Sequence, residues 1–114
     1  MLKFILRRKQ VKIWIDDVRE APEGYLWCKS TRDALRKIVL EHLNEVELID
    51  LDHDAGDYAK DGGDYIGVLK ELERLHRRHN LDFSYIKFRL HSANPVGVQN
   101  MRAIINANGW TEIR

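Results

Sequence analysis

Val46-Glu47-Leu48-Ile49-Asp50-Leu51-Asp52-His53-Asp54 is an apolar run that breaks into acids and an imidazole. Two other stretches end the same way: Ile13-Trp14-Ile15-Asp16-Asp17 and Phe88-Arg89-Leu90-His91-Ser92-Ala93-Asn94. Buried strands that terminate in polar groups are the means by which an open parallel α/β sheet builds a site, because ligands bind outside the carboxyl ends of its strands. The three clusters are therefore expected to converge on one pocket.

Working outward, Val11 to Ile15 reads as a strand, Val18 to Gly24 as a Pro- and Gly-bearing loop, and Tyr25 to Cys28 as a short strand. Ser30 with Asp33 gives a capping-box pattern, and Leu35, Ile38 and Val39 give the following segment a helical face, so a helix is expected from Thr31 to about Leu43. Val46 to Asp52 is the next strand, followed by a loop through Gly63. Tyr65, Val68, Leu69, Leu72 and Leu75 recur at helical spacing, with Glu73 and Arg77 able to pair, and this helix ends near Asn80. Phe83 to Leu90 reads as a strand, and Asn94-Pro95 as the cap and first turn of a helix stopped at Gly109. Trp110 to Ile113 closes the pattern as a short strand. Alternating strands and helices imply right-handed βαβ units. The expected fold is a three-layer, flavodoxin-like α/β domain whose five-stranded, mainly parallel sheet has the order 2-1-3-4-5. A helix between the first two strands is missing, since Asp17 to Gly24 is too short for one.

The chain has 114 residues and is 44% hydrophobic, which suits one domain with one core, expected over about residues 11–113. Nineteen basic against eighteen acidic residues leave a net charge of +1, which offers no broad footprint for duplex nucleic acid but leaves an RNA end open. Cys28 is the only cysteine, so an intrachain disulfide is excluded, and the thiol is expected to pack rather than react. Met1 to Lys9 places its apolar residues ahead of most of its charges, unlike a secretory signal, and reads as a solvated lead-in to the first strand. No stretch approaches the ~18 apolar residues of a membrane helix. A cytoplasmic protein is expected, and charged helix faces point to a monomer.

Asp16, Asp17, Asp52 and Asp54 gathered at strand ends would concentrate charge that cannot all stay ionised and unpaired, so either a divalent cation or protons must neutralise it. Hard oxygen donors suit Mg²⁺ or Mn²⁺. Each acid also has a local use: Asp16 to cap its loop, Asp17 to pair with Arg19, Asp54 to form an Asx-turn. Asp50 shares a strand face with Leu48 and needs a partner if that face is covered; it reads as structural. His53 and His91 are the acid-base candidates, each at a strand end among polar groups, while His42, His76 and His79 read as solvated. Ser92 and Asn94 fit phosphate contacts, with Asn94 also an N-cap. Arg19 fits either a bidentate phosphate contact or a screen for the acids.

Asp16-Asp17, the third-strand aspartate, Asp61-Gly62 and Ser92-Ala93 together resemble the response-regulator receiver domain, whose acids bind Mg²⁺ and accept a phosphoryl group. The receiver's fifth-strand lysine has no counterpart between Trp110 and Arg114, and its pattern does not include the two histidines. The chain more closely resembles the cyclic-phosphate processing receiver domains, through Ile15-Asp16-Asp17-Val18-Arg19, Leu51-Asp52-His53-Asp54 and His91-Ser92-Ala93-Asn94-Pro95, over roughly Val11 to Met101. That resemblance implies action on a small cyclic phosphate ester or an RNA end. The expected function is a metal-dependent phosphoesterase with His53 and His91 as proton carriers, Asp16, Asp17, Asp52 and Asp54 around the metal, and Arg19, Ser92 and Asn94 on the phosphate. The alternative is an atypical receiver that binds Mg²⁺ without hydrolysing anything.

Overall fold

The computed structural model describes residues 10–114, so the expected lead-in at residues 1–9 lies outside the described residues. Its strands are β1 (Val11–Ile15), β2 (Tyr25–Cys28), β3 (Val46–Leu51), β4 (Lys87–Leu90) and β5 (Thr111–Glu112), in the order β2-β1-β3-β4-β5 with every pair parallel. The helices are α1 (Thr31–Leu35), α2 (Ile66–His79) and α3 (Pro95–Ala107). This is the expected flavodoxin/receiver-like fold with the expected strand order.

Register decides which side chains meet. Ile13 stands beside Leu26 and Ile49, Ile15 beside Cys28 and Leu51, and Ile49 beside Phe88, so these residues share one face. Ala34, Ile38, Val68, Leu69, Leu72, Met101 and Ile105 from the helices are buried in the same core cluster. Burying a side chain the size of leucine contributes about 1.5–3 kcal/mol, so this interface is the main source of stability. The crossovers from β2 to β5 all step the same way across the sheet, and right-handed crossovers then put α1, α2 and α3 on one face. Contacts of α2 with both α1 and α3 agree. Among the described residues no helix covers the opposite face, because β1 and β2 are joined by a loop where a helix would have crossed, so these residues form two layers where three are expected. That face carries Lys12, Trp14, Tyr25, Trp27, Asp50 and Arg89, a polar and aromatic set.

Ends and local pitch differ from expectation. The first helix leaves α geometry at Arg36, runs as a π-helix from Arg36 to Glu41, and stops before Leu43. His42 then bonds Glu45 at 2.9 Å and His76 bonds the Leu81 carbonyl at 2.8 Å, so neither is merely solvated. β4 begins at Lys87, not Phe83, because the Ile86 amide turns back onto the Phe83 carbonyl at 3.0 Å. A 3-10 turn (Gly56–Lys60) occupies part of the acidic loop. The caps are as read: Ser30 accepts from the Asp33 amide and Asn94 from the Gly97 amide.

Candidate active site

The acids emerge where the strands stop. Asp16 and Asp17 follow β1, Asp52 follows β3 and His91 follows β4. The Asp52 amide donates to the Ile15 carbonyl at 2.9 Å and the His91 amide to the Leu51 carbonyl at 3.0 Å, so the ladder holds register right up to the site. Asp16 is fully buried, and its Oδ1 accepts from the amides of Val18 at 2.9 Å and Arg19 at 2.8 Å. Burial works to raise its pKa, but those amides and His91 outweigh it and hold the carboxyl below its ordinary value. Asp17 is shifted the other way, pushed up by burial and then by the charges of Asp16 and Asp52.

One ligand oxygen each from Asp16, Asp17 and Asp52 lies within 4.8 Å of the others. Three hard donors that repel one another fit a small divalent cation such as Mg²⁺ or Mn²⁺. Gly56, at φ +55°, passes so close to Asp17 that a side chain there would strike its carboxylate. Asp54, expected with these three, lies in a second group of possible ligands: two residues past Asp52, its side chain turns to His53 and Asn94. The acid beside the pair is Asp52.

His91 stands between two carboxylates, with Nδ1 2.6 Å from Asp50 and Nε2 2.9 Å from Asp16. Ionised carboxylates only accept, so this geometry calls for a proton on both ring nitrogens. Burial opposes the charge, yet the bonds to Asp50 and Asp16 prevail and raise the imidazole's pKa. Trp14 stacks flat on the ring at 3.9 Å, and its Nε1 donates to the Arg19 carbonyl at 2.8 Å. Trp27 Nε1 donates to the Asp16 carbonyl at 2.9 Å. Asp50 is 3% exposed and also meets Arg89 at 3.6 Å, so its expected pairing exists and reaches the site through His91.

A second group holds His53, Asp54 and Asp64, again with one donor atom each within 4.8 Å. His53 Nδ1 bonds Asp54 at 2.7 Å, Asn94 Nδ2 donates to Asp54 at 3.2 Å, and Asp64 accepts from the Ala55 amide at 2.9 Å. The bond from His53 chiefly lowers the Asp54 pKa. His53 Nε2 has no partner among the described residues. Ser92 Oγ accepts from the Asn94 amide at 3.1 Å, which places Ser92 beside this group. Arg19 serves the acids through its backbone, while its side chain is exposed. Asp64, Trp14 and Trp27 are not among the expected site residues; their bonds to backbone groups 9, 5 and 11 positions away run through loops, which strand periodicity does not reveal.

No curated protein and no solved structure matches the chain. The model of the cyclic-phosphate processing receiver domain matches residues 11–107, which takes in both acid groups, both histidines and every strand but β5. With that match over most of its length, the chain belongs to the cyclic-phosphate processing receiver domain family.

Proposed function

We propose that this protein is a metal-dependent phosphoesterase that opens cyclic phosphates, such as nucleotide or RNA-end 2′,3′-cyclic phosphates. The observation that carries the reading is the convergence of Asp16, Asp17 and Asp52, with the family's description supporting the cyclic ester. A divalent cation held by these three would polarise a phosphate oxygen and orient the attacking water. Ring opening takes one proton from water and delivers one to the leaving oxygen, so two proton carriers suffice. His53 is oriented through Nδ1 by Asp54 and presents Nε2 to the substrate, an arrangement of proton carrier and orienter. His91 carries its protons against Asp16 and Asp50, supplies positive charge beside the acids, and delivers the second proton once its contact with Asp16 opens. Arg19, Ser92 and Asn94 offer donors to the phosphate oxygens. Asp54 lies with His53 and orients it rather than joining the first metal group.

Hydrolysis of nucleoside 2′,3′-cyclic phosphates and noncyclic phosphodiesters, with Mg²⁺, Mn²⁺ or chelator, tests this directly. Metal-dependent turnover is expected, selective for the cyclic esters, with His53→Ala and Asp52→Asn each losing about 10²-fold or more. The strand order and the place of Asp52 beside the acid pair also suit an atypical receiver. Folded, metal-bound protein that turns over no ester, yet takes a phosphoryl group from a small phosphodonor at Asp52, would replace the enzyme reading with that one.

A further inference from the structure

The carboxyl edge holds a second concavity next to the acids. A cavity of about 360 Å³ opens between the end of β2 and the 3-10 turn, lined by Trp27, Lys29, Ser30, Asp33, Tyr58 and Asp61. Two of the segments that line it also touch the acid group. Trp27 bonds the Asp16 carbonyl at 2.9 Å, and Gly56, two residues before Tyr58, lies against the Asp17 carboxylate.

Most of its polar rim is already engaged. Arg32 meets Asp61 at 2.9 Å, Arg36 meets Asp33, and Ser30 Oγ accepts from the Asp33 amide. What remains open is two aromatic rings and one cation. Trp27 is half-buried and Tyr58 is 38% exposed, and among the described residues these rings make no contact with each other. Lys29 Nζ sits 4.5 Å over the Trp27 ring and pairs with no carboxylate among the described residues.

We propose that this cavity is a nucleobase subsite, taking the base of the nucleoside whose phosphate lies at the acids. The inference rests on the phosphoesterase reading for the phosphate and on the aromatic slot for the base. Flat heterocycles stack on aromatic side chains with little regard to base identity, because every base has a π face. Such stacking is worth more than a cation–π contact at an exposed site, so an entering base displaces the Lys29 ammonium from Trp27 and leaves it as a donor to the base edge. A cyclic phosphate without a base would have nothing to place between the rings. The slot therefore selects nucleotides among cyclic esters.

Binding of free nucleosides tests the slot without phosphate or turnover. In NMR titrations adenosine is expected to shift the Trp27 indole N–H, Lys29 and Tyr58 signals saturably, cytidine less strongly, and ribose not at all. Tyr58→Ala should weaken adenosine binding about five- to tenfold, and Tyr58→Phe should restore it. Tyr58 is the position to change because Trp27 also holds the Asp16 carbonyl. No saturable shift, or a titration unchanged in Tyr58→Ala, overturns the slot. Hydrolysis of glycerol 1,2-cyclic phosphate beside nucleoside 2′,3′-cyclic phosphates separates the two readings. Adenosine binding without any turnover removes the phosphoesterase and keeps the slot, while equal turnover of both esters without adenosine binding does the reverse. A preference between a cyclic mononucleotide and a short RNA with the same terminal group, lost in Tyr58→Ala, supports the slot and names the natural source of the base.

Discussion

A methyl group added at Gly97 would stand 2.5 Å from Cγ of His53, inside any permitted contact. In a helix interior glycine to alanine gains about 1 kcal/mol from backbone propensity, but Gly97 sits in the first turn of α3, so less is gained there. Overpacking a filled site costs about 1–3 kcal/mol. The clash should win: Gly97→Ala is expected to destabilise by about 1 kcal/mol and to lower turnover by turning the imidazole away from Asp54. In a His53→Ala background the same substitution should be neutral or stabilising. Equal losses in both backgrounds by urea denaturation would show that the ring does not depend on the glycine. At this scale the sequence revealed which residue types mattered but not how they divide. Asp16, Asp17 and Asp52 were legible because each ends a strand. Which group Asp54 joins is not legible, because two residues of loop suffice to turn a side chain from one group of possible ligands to another. Asp50 was legible only as a charge in need of a partner, since its partner His91 lies forty-one positions away.

β5 has only two residues, and what ties it to the rest is a side-chain bond as much as its ladder. Arg102 on α3 grips Glu112 with two bonds of 2.7 Å, Nε and Nη2 each to one carboxylate oxygen. Glu112 is 10% exposed and Arg102 29%, so solvent screens the pair in part, and the Arg102 bond holds the Glu112 carboxyl below the ordinary value of 4.5. A depressed carboxyl contributes stability that is fully present above its unfolded pKa and is lost as pH falls through its folded one. Glu112→Gln should therefore cost about 1–2 kcal/mol at pH 7, between exposed ion pairs and buried charge-assisted bonds. The gap from wild type should narrow below pH 4.5, as read from urea midpoints across pH 7 to 3. A gap independent of pH would mean that packing, not charge, joins the elements. Elements were more legible than their edges. Apolar period and caps located α2, α3 and the first three strands, whereas the π-helical pitch from Arg36 and the turn at Phe83 leave the same apolar spacing as the structures they replace.

The whole molecule places three like charges together by joining strands β1 and β3, so folding itself does electrostatic work against the acid group. Burial and the charges of Asp16 and Asp52 push the Asp17 pKa up. A raised carboxyl binds its proton more tightly in the folded state, so stability falls as pH rises above the unfolded value of 3.8, and at neutral pH the metal-free fold bears that cost. Asp17→Asn removes the third charge. Without metal the variant should match or exceed wild type in stability at pH 7, and any excess should fade toward pH 4. With metal the order should reverse, because a ligand bound only to the folded state stabilises by mass action, about 2.7 kcal/mol at a hundredfold excess over Kd. For a chain of this size that raises Tm by on the order of 10 °C. Wild type should show this shift with Mg²⁺ or Mn²⁺, and Asp17→Asn should show little of it. The fold and the site are then linked with opposite signs: the residue that weakens the empty domain is the one that lets the cation strengthen it. A metal-free variant that melts well below wild type, with an undiminished shift on adding metal, would instead make Asp17 a residue of the fold and take it out of the metal group.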